Sequence, residues 1–137
     1  MVAFHFGRLI DHLHLRAADL EASRRFYEAA LGALGIPIQR SVPGVMFQAD
    51  ELYVSPTDPG AAASHAHFAF QARSRAEVDA FYDAAMAAGG RDNGPPGERH
   101  YHPGYYACYV LDPDGNNVEA VYHGPGKRSA DSVVIEA

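Results

Sequence analysis

HLHLRAADLEASRRFYEAALGALG, residues 12–35, and HFAFQARSRAEVDAFYDAAMAAGG, residues 67–90, are two versions of one plan set 55 positions apart. Eight of the 24 aligned positions are identical without a gap: His12/His67, Ala17/Ala72, Phe26/Phe81, Tyr27/Tyr82, Ala29/Ala84, Ala30/Ala85, Ala33/Ala88 and Gly35/Gly90. Alanine is common in this chain, so its matches weigh little. The histidine, the Phe-Tyr pair and the closing glycine carry the repeat. Leu13/Phe68, Leu15/Phe70 and Leu31/Met86 keep their apolar character. Self-similarity of this kind is read before any local feature, because it sets the architecture.

Each copy opens on a strand pattern. Residues Leu9–Arg16 alternate, with Leu9, Leu13 and Leu15 on one face and Ile10, His12 and His14 on the other. In His65–Ala72, Ala66, Phe68 and Phe70 oppose His65, His67 and Ala69. A helix follows each strand. The first is predicted from Asp19 or Ser23 to Leu34, ending at Gly35-Ile-Pro37. The second is predicted from Ser74 to Ala88, opened by the capping box Ser74-Arg-Ala-Glu77 and closed by Gly89-Gly90.

Hairpins come next. Val45–Gln48 and Leu52–Ser55 flank Ala49–Glu51; Tyr105–Leu111 and Asn117–His123 flank Asp112-Pro-Asp-Gly-Asn116. Segment 57–64 is a Pro/Gly/Ala linker between modules of about 9–56 and 65–123. Segment 91–104 is expected to be a long Gly/Pro-rich loop, and 124–137 a tail in which Val133-Val-Ile135 has strand character. The expectation is a single α+β domain in which two half-sheets curl around a cleft.

At 137 residues the chain has one domain's length and needs neither metal nor disulfide merely to fold. Its net charge of −6 and lack of a basic run argue against nucleic acid. No apolar run is long enough for a membrane span, and the first residues lack the apolar core of a signal peptide. Cys108, the single cysteine, excludes an intrachain disulfide; a reducing, cytoplasmic location is expected. Eight histidines in so short a chain point to metal or acid–base chemistry.

The repeat makes His12 and His67 equivalent, facing each other if the halves are related by a pseudo-twofold axis. A lone strand histidine is ordinarily a hydrogen-bonded residue, whereas a symmetric pair is suited to a metal. Glu119 lies mid-strand in Asn117-Val-Glu-Ala-Val-Tyr122, where a buried carboxylate needs an arginine or an ion. Together His12, His67 and Glu119 make a two-histidine, one-carboxylate triad. Such a set leaves open positions and favours Fe(II), with Ni(II), Mn(II), Co(II) or Zn(II) also accommodated.

Ile10-Asp-His-Leu-His-Leu-Arg-Ala-Ala-Asp19, Ser23-Arg-Arg-Phe-Tyr27, His67-Phe-Ala-Phe70 and Asp112-Pro-Asp-Gly-Asn-Asn-Val-Glu119 resemble the vicinal oxygen chelate superfamily. That superfamily holds glyoxalase I, extradiol dioxygenases and the fosfomycin- and bleomycin-resistance proteins. The resemblance runs through residues 10–123. It implies tandem βαβββ modules forming a curled mixed sheet around a cleft, with metal ligands His12, His67 and Glu119. It also implies a homodimer, in some members with modules exchanged. Glyoxalase I-like members carry a fourth ligand on the last strand of the first module. Here Tyr53 is the better match for that position, with Glu51 two residues away.

His102, Cys108-Tyr109, Asp112-Pro-Asp-Gly115 and Glu119 further resemble the extradiol signature. They depart from it at Cys108 and at His100. The similarity implies His102 as an acid–base residue on a mobile loop and Tyr109 as a donor to substrate. Tyr53, Arg99, His100, Tyr105 and Tyr106 are candidate pocket residues, with one of the last two expected to pack in the sheet. His14 and His65 share the ligands' strand faces; His5 and His123 read as peripheral. Cys108 reads as strand packing. The implied function is a metal-dependent, dioxygenase-like enzyme acting on a small substrate with vicinal oxygens. The alternatives are a glyoxalase-like lyase or isomerase, and a metal-free ligand-sequestering protein.

Overall fold

A computed structural model describes residues 9–129. The chain runs β1 (Leu13–Ala17), α1 (Leu20–Ala33), β2 (Arg40–Val42), β3 (Met46–Ala49), β4 (Leu52–Pro56), β5 (His67–Gln71), α2 (Arg75–Ala87), β6 (Arg91–Glu98), β7 (Tyr106–Leu111) and β8 (Asn117–Tyr122). This is βαβββ twice, as expected. Each module makes its own four-stranded sheet, ordered β1-β4-β3-β2 and β5-β8-β7-β6. In both, the first strand runs parallel to the last and the remaining pairs are antiparallel.

The helices repeat each other down to their ends. Asp19 caps α1 by accepting from the Ala22 N–H at 3.0 Å, and Ser74 caps α2 by accepting from Glu77 at 3.1 Å. The Glu77 carboxylate takes the Arg73 N–H at 2.7 Å, extending the cap backwards. Both helices close on a left-handed glycine. Gly35 has φ +77° and Gly89 φ +100°; Ile36 then bonds back to Leu31 and Gly90 to Ala85, each at 2.9 Å. These six-to-one bonds satisfy carbonyls that a helix end leaves open.

Helix α1 buries Ser23, Phe26, Tyr27, Ala30 and Leu31, and α2 buries Val78, Phe81 and Ala85, each a single stripe at helical spacing. The stripes meet in one core shared by both modules. The modules pack helix against helix, and among the described residues no strand pairing joins the two sheets. Polar bonds also cross between them, among them Ala18 N–H to Asp114 Oδ1 at 3.1 Å. The buried Tyr27 hydroxyl donates to Asp112 Oδ2 at 2.5 Å, while Asp112 also accepts from Asp114 N, Asn116 N and Asn116 Nδ2. Tyr27→Phe strands part of that carboxylate's hydrogen bonding and is expected to cost about 1–3 kcal/mol in urea unfolding.

Two local expectations are corrected, and one strand is found that the pattern does not mark. Leu9 and Ile10 are 95% and 67% exposed, and the first strand begins only at Leu13. Its partner β4 starts at Leu52 after a turn in which Asp50 takes φ +46°, so residues 9–12 have no backbone to pair with. Most of segment 91–104 is the edge strand β6 rather than a loop. Register shifts between Asp92 and Gly94 and between Gly94 and Gly97 place Pro95-Pro96 outside the pairing, which an edge strand tolerates. The short edge strand β2 is wholly exposed and carries no alternation to read. His5 and Val133–Ile135 lie outside the described residues.

Candidate metal and substrate site

Every sheet has a helix on one face, and among the described residues no second helix covers the other. Parallel registers make the two open faces comparable position by position. His14 pairs with Tyr53 on the first sheet, and Ala69 with Glu119 on the second. Since His14 and Ala69 are 55 apart, Tyr53 stands where Glu119 stands in the other module, and Glu51 corresponds to Asn117.

The second sheet carries the denser chemistry. Glu119 is only 3% exposed, in the middle of β8. Its carboxylate is held by Tyr105, whose hydroxyl donates to Oε2, while His67 Nε2 lies 3.2 Å from Oε1. Nδ1 of His67 is 2.9 Å from the carbonyl of Asn117. That bond holds a proton on Nδ1 and turns Nε2 to the carboxylate, the nitrogen that would ligate an ion held there. Burial pushes the Glu119 carboxyl above its ordinary range, against the opposing pull of Tyr105, His67 and Arg99. A buried carboxylate whose burial outweighs its partners is suited to receiving a cation.

Tyr109 is directly opposite Glu119 in the β7–β8 register, and its ring is 6.0 Å from that of His67. Burial, followed by the Glu119 charge, pushes its phenol up to about 12, so it is a proton donor at neutral pH. Tyr105 is raised further, by burial and then by its bond to Glu119. His102 does not sit on a free lid. Its Nδ1 is 2.9 Å from the Pro103 carbonyl and its Nε2 is 2.8 Å from His123 Nδ1. The two imidazoles stack at 5.1 Å, with the Tyr105 ring edge-on to both. The turn beneath them is closed by Arg99 N to Tyr105 O and Tyr105 N to His102 O. His123 is therefore part of the cluster rather than peripheral; it follows the end of β8, where no pattern marked it.

Other expected positions fall elsewhere. Tyr106 lies on the helix side of β7, donating to Asp79 on α2 at 2.7 Å with Arg75 4.7 Å over its ring, and so does not line the open face. His100 is exposed on the turn and Tyr101 projects beyond it, edge-on to Tyr105. Cys108 is fully buried and its thiol is pushed up to about 12 by burial, in keeping with strand packing. His65 is exposed just before β5.

On the first sheet His14 Nε2 is 2.7 Å from Ser55 Oγ and its ring meets Tyr53 edge-on at 4.8 Å. His12 precedes β1, exposed, with Nδ1 2.7 Å from Asp11. It is not grouped with both His67 and Glu119. The modules pack through α1 and α2, which leaves β1 and β5 as edge strands of separate sheets, with Ser64 of the linker bonded to Arg16 on β1. Accordingly, among the described residues no three His, Cys, Asp or Glu side chains are grouped to hold an ion. The pair His67–Glu119 has the donor chemistry of a metal site and lacks a third protein ligand among the described residues.

Residues 9–120 match the family profile described as the Glyoxalase/Bleomycin resistance protein/Dioxygenase superfamily. The chain belongs to that superfamily. It is 33% identical over 128 residues to the uncharacterized protein YqjT of Bacillus subtilis (strain 168), covering 82% of this chain and 97% of that one. Among solved structures it is similar to a glyoxalase/bleomycin resistance protein from Albidiferax ferrireducens T118. There the TM-score is 0.70 at 32% identity, over 82% of this chain and 97% of the other. It is also similar to the lactoylglutathione lyase from Agrobacterium tumefaciens, with TM-score 0.60 and 25% identity over 82% and 91% of the two chains.

Proposed function

We propose that the chain is a divalent-metal enzyme working as a homodimer on a small substrate with two adjacent oxygens. The carrying observation is the half-site: His67 Nε2 and Glu119 Oε1 stand 3.2 Å apart with the His67 Nδ1 tied back to Asn117. The third ligand is His12 of a second copy, whose open first sheet faces the open second sheet across the dimer axis. A symmetric pairing makes two such sites, because each chain offers one of each face. Fe(II) is favoured, with Ni(II), Mn(II), Co(II) or Zn(II) accommodated by the same donors.

An ion held there supplies Lewis-acid polarisation of the substrate's vicinal oxygens. The protein's own groups do the rest. Tyr105 holds its proton on Glu119 Oε2 and so orients the carboxylate. Tyr109, still protonated at neutral pH, is placed to donate to a substrate oxygen. His102 accepts or returns a proton once it exchanges its His123 bond for substrate. Tyr53, in place of a second carboxylate, leaves coordination positions open, which supports the dioxygenase-like reading. The similarity to a lactoylglutathione lyase supports the second reading, an isomerase or lyase at the same site.

Mixed subunits test the shared site. His12→Ala and Glu119→Ala chains are prepared separately, unfolded, mixed and refolded, and bound metal is measured after desalting. Each variant alone is expected to be nearly metal-free. Random re-pairing makes about half the dimers mixed, each with one intact site of two, so roughly a quarter of the wild-type metal returns. No recovery, from a wild type that binds metal, overturns the shared site. A wild type that binds no divalent ion overturns the metal reading and leaves ligand sequestration in its place.

A further inference from the structure

Arg99 follows β6 on the same open face, and the strand is shaped around its guanidinium. A Cβ on Gly97 would lie 2.9 Å from Nη1, and one on Gly94 would lie 3.4 Å from Nη2 and 2.8 Å from the Tyr109 ring. Gly94 also takes φ +149°, which favours glycine. The guanidinium therefore rests against bare backbone. It donates from Nη2 to the Pro95 carbonyl at 2.7 Å and from Nη1 to the Glu98 carbonyl at 3.2 Å. Its central carbon stands 5.3 Å from the centre of the Tyr109 ring, the residue opposite Glu119. Held in this way the arginine is preorganised, and ordering it again on binding costs little.

Its charge forms no close ion pair, though it lies near enough to Glu119 to oppose the rise of that carboxyl's pKa. None of the ion pairs among the described residues includes Arg99. Its anchors are neutral carbonyls and a ring, which occupy two of its five N–H donors. A half-buried cation that is fixed and makes no close ion pair has donors left for an anion.

We propose that Arg99 receives a carboxylate on the substrate, beside the vicinal oxygens that approach His67 and Glu119. This rests on the reading that the open face of the second sheet holds the substrate, but not on the presence of a metal. Tyr109 links the two ends of such a molecule, packing on the guanidinium on one side and on His67 on the other. Preferred substrates are accordingly small acids bearing two adjacent oxygens, and neutral isosteres are poor ones.

Calorimetric titration of the metal-free protein in chelator tests this, with benzoate as probe and benzamide as its neutral counterpart. Benzoate is expected to bind at least about tenfold more tightly than benzamide, and Arg99→Gln to remove that difference. Gly97→Ala keeps the cation but displaces it with a methyl group, and is expected to weaken benzoate while preserving thermal stability. Arg75→Gln, an arginine removed from the helix side of the sheet, is expected to change nothing. The titration is run without metal, so failure of the metal reading leaves this result standing. Equal binding of benzoate and benzamide overturns the proposal. So does benzoate binding unchanged in both Arg99→Gln and Gly97→Ala; should the glutamine variant not fold, Gly97→Ala decides alone.

Discussion

Glu119→Ala is expected to lower divalent-metal affinity at least about 100-fold, the loss of a ligand exceeding that of a hydrogen-bonding neighbour. The chain should still fold, because the sheet on either side of Glu119 is held by Ala69 and Tyr109 backbone pairing. The isosteric Glu119→Gln separates binding from stability. Folding raises the Glu119 pKa from its ordinary 4.5, chiefly by burial. The native metal-free chain therefore holds this proton better than the unfolded chain. Its contribution is fullest below the ordinary value and is lost as pH rises through the raised one. Glu119→Gln removes that loss. In chelator the variant should gain on wild type between acid and neutral pH, by urea midpoint, while losing metal as completely as the alanine variant. A glutamine variant that falls further behind wild type as pH rises would show that ionised Glu119 is stabilising without an ion.

Gly90→Ala is expected to be the most damaging single methyl group that can be added to the core. The new Cβ would stand 2.5 Å from Val110 Cγ1, 2.7 Å from the Ala85 carbonyl and 2.9 Å from the Phe26 ring. Val110 belongs to β7, Ala85 to α2 and Phe26 to α1, so three elements from both modules must give way at once. The Ala85 carbonyl is backbone and accepts the Gly90 N–H that closes α2. Overpacking of this kind costs about 1–3 kcal/mol, and the upper end is expected here because the closing bond is strained too. The measurement is the urea midpoint of Gly90→Ala against Gly32→Ala. A methyl group on Gly32 would meet nothing within 4 Å, and the added helix propensity there should be neutral or stabilising. Equal midpoints would mean that the module interface relaxes freely.

How much was legible depended on whether a residue's role is local. The repeated His, Phe-Tyr and Gly positions belong to elements set by short-range periodicity and capping, and both helices run close to where those signals place them. Edge strands are another matter. Arg40–Val42 and Arg91–Glu98 pair on one side only, so neither alternation nor composition marks them, and the prolines of the second argue for a loop. Glu119 was visible as a carboxylate among apolar neighbours. Its Tyr105 bond and the His102–His123 pair were not, since each depends on side chains brought together from separate segments.

By itself the sequence determined two βαβββ modules in tandem, the equivalence of His12 with His67, and the polar character of the strand faces that carry them, because periodicity and repetition are properties of the chain. Only the tertiary structure decided how the modules meet. Phe26, Ala30, Phe81 and Ala85 bury more apolar surface by joining the helices in one core than either module buries alone. That packing puts β1 and β5 at the edges of separate sheets, and among the described residues no third His, Cys, Asp or Glu joins His67 and Glu119. It also decided that Arg99 lies on bare glycine backbone beside Tyr109, a placement that rests on two register shifts in an edge strand which no spacing encodes.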